Sequence, residues 1–84
     1  MDHTMSENDR ALRQVLVEVL LIDDDQYRDD FGPAQIGSWD SLGMIEIALA
    51  VEQRFGVTLQ PEQMVTLQTI GELKDHLREQ GVAF

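Results

Sequence analysis

The chain reads as an all-α domain: a small bundle of three main helices plus one short helix, with a long first connection. Three observations predict this. Leu12, Val15, Leu16, Val19 and Leu20 repeat at helical spacing; an apolar segment from Ser41 to Phe55 opens behind an acid and closes before a glycine; and Ile70, Leu73 and Leu77 repeat after a threonine. Apolar positions at i, i+3, i+4 and i+7 trace one face of a helix, which must be buried against another element.

Residues 1–5 carry no pattern and are expected to fray. Ser6 is the expected N-cap of the first helix, with Glu7 and Asp9 in the first turn, where the helix dipole favours acids. Asp23, Asp24, Asp25, Asp29 and Asp30, with Arg28 among them, are unfavourable at the negative end of a helix and help to stop it. They do not spell a calcium loop. Asp23 and Asp25 fit its first positions, but Tyr27 stands where an oxygen ligand is needed, and neither the glycine nor the closing glutamate follows. A solvated loop is the better reading, and no metal is expected.

From there to Trp39 runs a long connection, and long connections in bundles are functional or packed by their own side chains. Phe31 and Ile36 are expected to plug it onto the helices. Trp39 is read as a lid over the next helix start, with a place in a docking face as the alternative.

Asp40 is the expected N-cap of the central helix, and Ser41 its first residue. The serine hydroxyl then lies near free backbone donors and the positive end of the dipole, a place that stabilises an attached phosphate. Plotted at 100° per residue, Gln53, Glu46, Ala50, Gly43 and Arg54 form a narrow polar arc, and Ile47, Val51, Met44, Phe55 and Ala48 a wide apolar one. Ser41, Ile45, Leu49 and Glu52 run down one edge of the apolar arc, which reads as an outward rim suited to docking. Gly56 supplies the left-handed residue that ends the helix. Val57, Thr58 and Leu59 alternate as a short extended stretch. Pro61 starts a short helix over 61–65, Thr69 with Glu72 forms a capping box for the last, and Gly81 ends it. Leu16, Val19, Ile47, Val51, Phe55, Leu73 and Leu77 are the expected core.

Composition narrows the function. The 84 residues suggest one domain over residues 1–84, without room for separate cofactor and substrate domains. Cysteine is absent, which excludes disulfides, thiolate catalysis and cysteine-held metals and suits a reducing cytoplasm. No apolar run is long enough to span a membrane, and the opening MDHTMSENDR is not a secretory leader, so the chain is expected to be cytoplasmic. A formal charge of −10 argues against nucleic acid and anionic membrane surfaces and favours basic protein partners.

The stretch WDSLGMIEIALAVEQRFGVTL, Trp39 to Leu59, resembles the central segment of carrier proteins, the acyl carrier proteins and the related peptidyl or thiolation carriers. The tripeptide Asp40-Ser41-Leu42 is weak evidence alone. Its place at the mouth of an apolar helix ending in Arg54-Phe55-Gly56-Val57 is far more specific, and looser similarity extends over residues 7–80. The resemblance implies a 4′-phosphopantetheine arm on Ser41, added from coenzyme A by a phosphopantetheinyl transferase. It also implies an acyl or aminoacyl cargo held as a thioester, a loading ligase or transferase, and downstream pathway enzymes. The protein would be a monomeric carrier and not an enzyme. Asp40, Leu42, Ile45, Glu46, Leu49 and Glu52 match positions that such carriers present to partners, with Leu42 also a packing candidate. Arg54 and Gly43 depart from the more acidic fatty-acid type, and the length matches one discrete module, which together suggest a stand-alone carrier in a specialised biosynthetic pathway.

Two other classes compete. An unmodified acidic helical adaptor could use the same rim to bind a basic partner. A hydrolase would need a base beside Ser41, and the histidines are His3, near the start, and His76, read as solvated on the last helix. Asp40 needs no role beyond capping, so no catalytic residue is assigned.

Overall fold

The computed structural model describes residues 6–84, so the expected fraying of residues 1–5 and the position of His3 lie outside it. Helix α1 spans Glu7–Leu20, α2 Ser41–Phe55, α3 Pro61–Thr66 and α4 Ile70–Glu79, with one 3-10 turn at Asp24–Gln26. No strand occurs among the described residues. The three long helices and the short one correspond to the pattern read from the sequence.

Local chemistry sets each boundary. The Ser6 side chain accepts from the Asp9 amide and caps α1. That helix ends at Leu21, whose φ of 56° makes it the one described residue other than glycine with positive φ, a conformation that costs an L-residue roughly 1–2 kcal/mol. Gly56, at φ 69°, closes α2 at lower cost, and its amide donates to the Glu52 carbonyl. Gln60 and Gln63 form a reciprocal capping box around Pro61 that sequence reasoning missed. The expected box at α4 is displaced by one residue. Thr69 accepts from the Glu72 amide, but the Glu72 carboxylate accepts from Gln68, one position ahead of the cap.

Helix α2 packs against both α1 and α3. Leu12 and Leu16 from α1, Ile47 and Val51 from α2, and Ile70, Leu73 and Leu77 from α4 are fully buried in one cluster. The long connection is pinned to it by Ile36 and by Trp39, which is 2% exposed with its indole Nε1 buried and unpaired. This corrects the docking alternative for Trp39: it is a core residue. Phe31 packs against the core only in part, and its carbonyl accepts from the Ile70 amide at the start of α4.

Two expected core residues, Val19 and Phe55, are only partly buried. Phe55, the last residue of α2, lies beside Phe84, ring centroids 6.2 Å apart. We therefore expect Phe55→Ala to melt cooperatively with a loss of about 2 kcal/mol, below the usual cost of emptying a closed core site. A denaturant titration measures it, and a largely unfolded variant would contradict partial burial.

A buried cation ties the loop to the bundle. Lys74, 6% exposed, donates to Asp29 Oδ1 at 2.7 Å and lies 3.1 Å from Asp9 Oδ1. The Tyr27 hydroxyl donates to the same Asp9 oxygen, and Lys74 Nζ stands 5.0 Å from the Tyr27 ring centroid. Burial, then the bond to Asp9, pushes the Tyr27 phenol well above its usual range, so it stays a proton donor. One lysine thereby joins α1, the first connection and α4.

Candidate functional site

Ser41 is exposed at the first position of a 15-residue helix. Asp40 Oδ1 accepts from the Gly43 amide at 2.9 Å, so the acid performs the capping, and the serine hydroxyl makes no hydrogen bond among the described residues. The neighbouring Ser38 is committed elsewhere, its hydroxyl donating to the Leu20 carbonyl at 2.7 Å.

Gly43 is buried, contrary to its expected place on the polar arc of α2. A Cβ there would lie 2.3 Å from the Ser38 carbonyl oxygen. The turn carrying Ser38, Trp39 and Asp40 sits directly on the helix at this point. Angular position alone could not show that the connection folds back so closely.

Leu42, Ile45 and Leu49 are 65%, 58% and 55% exposed, and Glu46 is exposed beside them. Three large apolar side chains thus stand in water along one face of α2. Glu52 does not share this freedom. It is half-buried, and its Oε2 accepts from the Leu59 amide at 2.8 Å, so its first role is to hold the connection into α3. A backbone donor seven residues away leaves no helical-period signal in a sequence.

Between α2 and α3 a groove of about 380 Å³ runs from Ser41 past Met44 and Leu49 to Glu52, with Leu59 and Met64 on the opposite wall. Two methionines give such a wall adaptable packing. His76 is not the solvated residue expected from sequence. Its side chain is 16% exposed and meets Glu79 and Gln80 on and just beyond its own helix. No group of three or more histidines and acids is placed to hold a metal among the described residues, and no helix there is long and apolar enough to cross a membrane.

The site is therefore an exposed serine at a separately capped helix start, beside an apolar groove. The family model described as phosphopantetheine attachment site matches residues 10–77, and the chain belongs to that family. It is 30% identical over 79 residues to an acyl carrier protein of Rhodococcus erythropolis, covering 94% of this chain and 87% of that protein. It is also 26% identical over 76 residues to an acyl carrier protein of Petrotoga mobilis, covering 90% and 89%. A third acyl carrier protein, from Acidothermus cellulolyticus, is 34% identical over 44 residues, 52% of each chain.

Family members are carriers and not enzymes. They work through covalently held 4′-phosphopantetheine, with a phosphopantetheinyl transferase and pathway enzymes as partners. The residues present fit that group: a hydroxyl with no hydrogen-bond partner among the described residues is exposed at the positive end of a helix, next to a groove.

Proposed function

We propose that Ser41 carries the phosphopantetheine arm and that the chain presents an acyl or aminoacyl group to partner enzymes in a specialised biosynthetic pathway. The observation that carries this reading is the exposed Ser41 at the Asp40-capped start of α2, inside the matched segment. When bound, the arm supplies a thiol that holds the cargo as a thioester.

The chain's own residues divide the remaining work. Asp40 fixes the helix start, and the first-turn amides favour the phosphate of the arm. Leu42, Ile45 and Leu49 offer apolar contact to a partner, with Asp40 and Glu46 as charges for orientation. The groove shelters an apolar cargo when no partner is bound. The specialised pathway is supported by Arg54, exposed in the last turn of α2, and by Gly43, where the close approach of Ser38 leaves no room for an acid. The adaptor reading leaves the family match and the free serine unexplained. Among the described residues the hydrolase reading has His76 alone as a histidine base, and it meets Glu79 and Gln80 along its own helix.

Incubation with coenzyme A and a broad-specificity phosphopantetheinyl transferase tests attachment: intact mass should show one added group, mapped by fragmentation to Ser41. Glu46→Lys tests the docking face. It changes the formal charge from −10 by two units to −8 without touching the Glu52–Leu59 bond. Loading by the cognate enzyme should slow while stability holds, and the wild-type rate should fall as salt screens the encounter. An unchanged rate at low salt would remove this rim as the recognition surface.

A further inference from the structure

The apolar groove beside Ser41 ends at a carboxylate. Glu52 lies three turns along α2 from Ser41, roughly 16 Å by the helical rise. It is the one charged side chain among the described residues lining the groove. Its Oε2 holds the Leu59 amide at 2.8 Å, and Leu59, itself 5% exposed, forms part of the facing wall. The bond lands one residue ahead of the Gln60 cap, so it fixes where α3 begins relative to α2. The second oxygen, Oε1, makes no hydrogen bond among the described residues, so the carboxylate keeps acceptor capacity toward the groove.

These two features act on an occupant differently. The bond to Leu59 sets the position of the wall, and therefore how well an apolar tail is enclosed. The charge decides which tail ends are tolerated. An uncharged aliphatic tail gains by leaving water. A tail ending in a carboxylate would meet a like charge across a poorly screened apolar wall.

We propose that Glu52 determines which cargo the groove accepts, latching the α2–α3 wall through the Leu59 amide and rejecting acyl tails that end in a carboxylate. This rests on the proposed role of the groove as a cargo shelter. It also reassigns Glu52 from partner contact to a positioning and selecting residue.

The test compares wild type with Glu52→Gln, whose amide oxygen can still accept from Leu59, and with Glu52→Leu, which cannot. Each protein is charged from the corresponding coenzyme A thioester with an octanoyl group or with an acyl chain of equal length ending in a carboxylate. Amide exchange at Leu59 is read without cargo, and shelter is read as the rate of thioester cleavage by hydroxylamine. On wild type the octanoyl thioester should be cleaved more slowly by roughly tenfold, the scale on which a pocket separates ligands differing in one group. Glu52→Gln should keep slow Leu59 exchange and lose most of that difference. Glu52→Leu should exchange Leu59 about tenfold faster or more, the consequence of losing a charge-assisted bond, and should shelter octanoyl poorly. Selection by Glu52 is overturned if the two tails are cleaved alike on wild type or if Glu52→Gln discriminates as wild type does. The latch is overturned if Glu52→Leu leaves Leu59 exchange unchanged. Failure of wild type to accept any group at Ser41 counts against the attachment reading, while Leu59 exchange, which needs no cargo, still decides the latch.

Discussion

Ser41→Ala should abolish phosphopantetheine attachment completely while leaving the fold intact. The Ser41 side chain makes no hydrogen bond among the described residues, and Asp40 performs the capping through Gly43. Alanine is also the better helix former, so stability should stay within about 0.5 kcal/mol of wild type. Ser38→Ala should behave in the opposite way. Losing the bond to the Leu20 carbonyl should cost about 1 kcal/mol, yet attachment should proceed. Intact mass after transferase treatment and a thermal melt separate the two effects. An arm still added to Ser41→Ala would overturn the site.

Gly32→Ala should be the most damaging single methyl group in the chain. A Cβ at this position would lie 1.8 Å from the Gln68 carbonyl oxygen, 2.6 Å from its carbon and 3.0 Å from Thr69 Cα. All three are backbone atoms, so no rotamer change relieves the overlap. The first connection would have to lift from the start of α4, straining the Ile70–Phe31 and Gly71–Asp29 backbone bonds. Overpacking usually costs 1–3 kcal/mol, and a clash with immovable backbone should reach about 3 kcal/mol or more. A small domain has only about 5–15 kcal/mol to lose. Chemical denaturation should show a midpoint far below that of Gly37→Ala, whose added Cβ would meet nothing within 4 Å. Equal midpoints would mean that the connection does not sit on α4 as described.

The sequence told most where a signal repeats along one helix. Leu12, Leu16 and Leu20 identify α1 and its buried side together, and Asp40, Ser41 and Gly56 mark both ends of α2. It told least where distant segments meet. Gly43 looked polar-facing because the turn at Ser38 is invisible to a helical projection. Glu52 looked like a rim charge because its partner is a backbone amide beyond the helix. Lys74 drew no notice, since its carboxylate partners lie 45 and 65 residues earlier in the chain. The exposed row at Leu42, Ile45 and Leu49 was legible because only the angle around one helix decides it.

The burial of Lys74 has a chemical consequence for a protein that carries an activated acyl group. Thioesters acylate amines and thiols, so a carrier risks transferring the cargo to itself. This chain has no cysteine, and Lys74 is its only lysine. That amine is enclosed, held as the partner of Asp9 and Asp29 beneath Tyr27. The exposed cations of the helices, Arg10, Arg54 and Arg78, are guanidiniums, which stay protonated and make poor nucleophiles. Every side-chain amine and thiol that could intercept the cargo is therefore missing or shut away, and self-acylation is suppressed by composition as much as by shape.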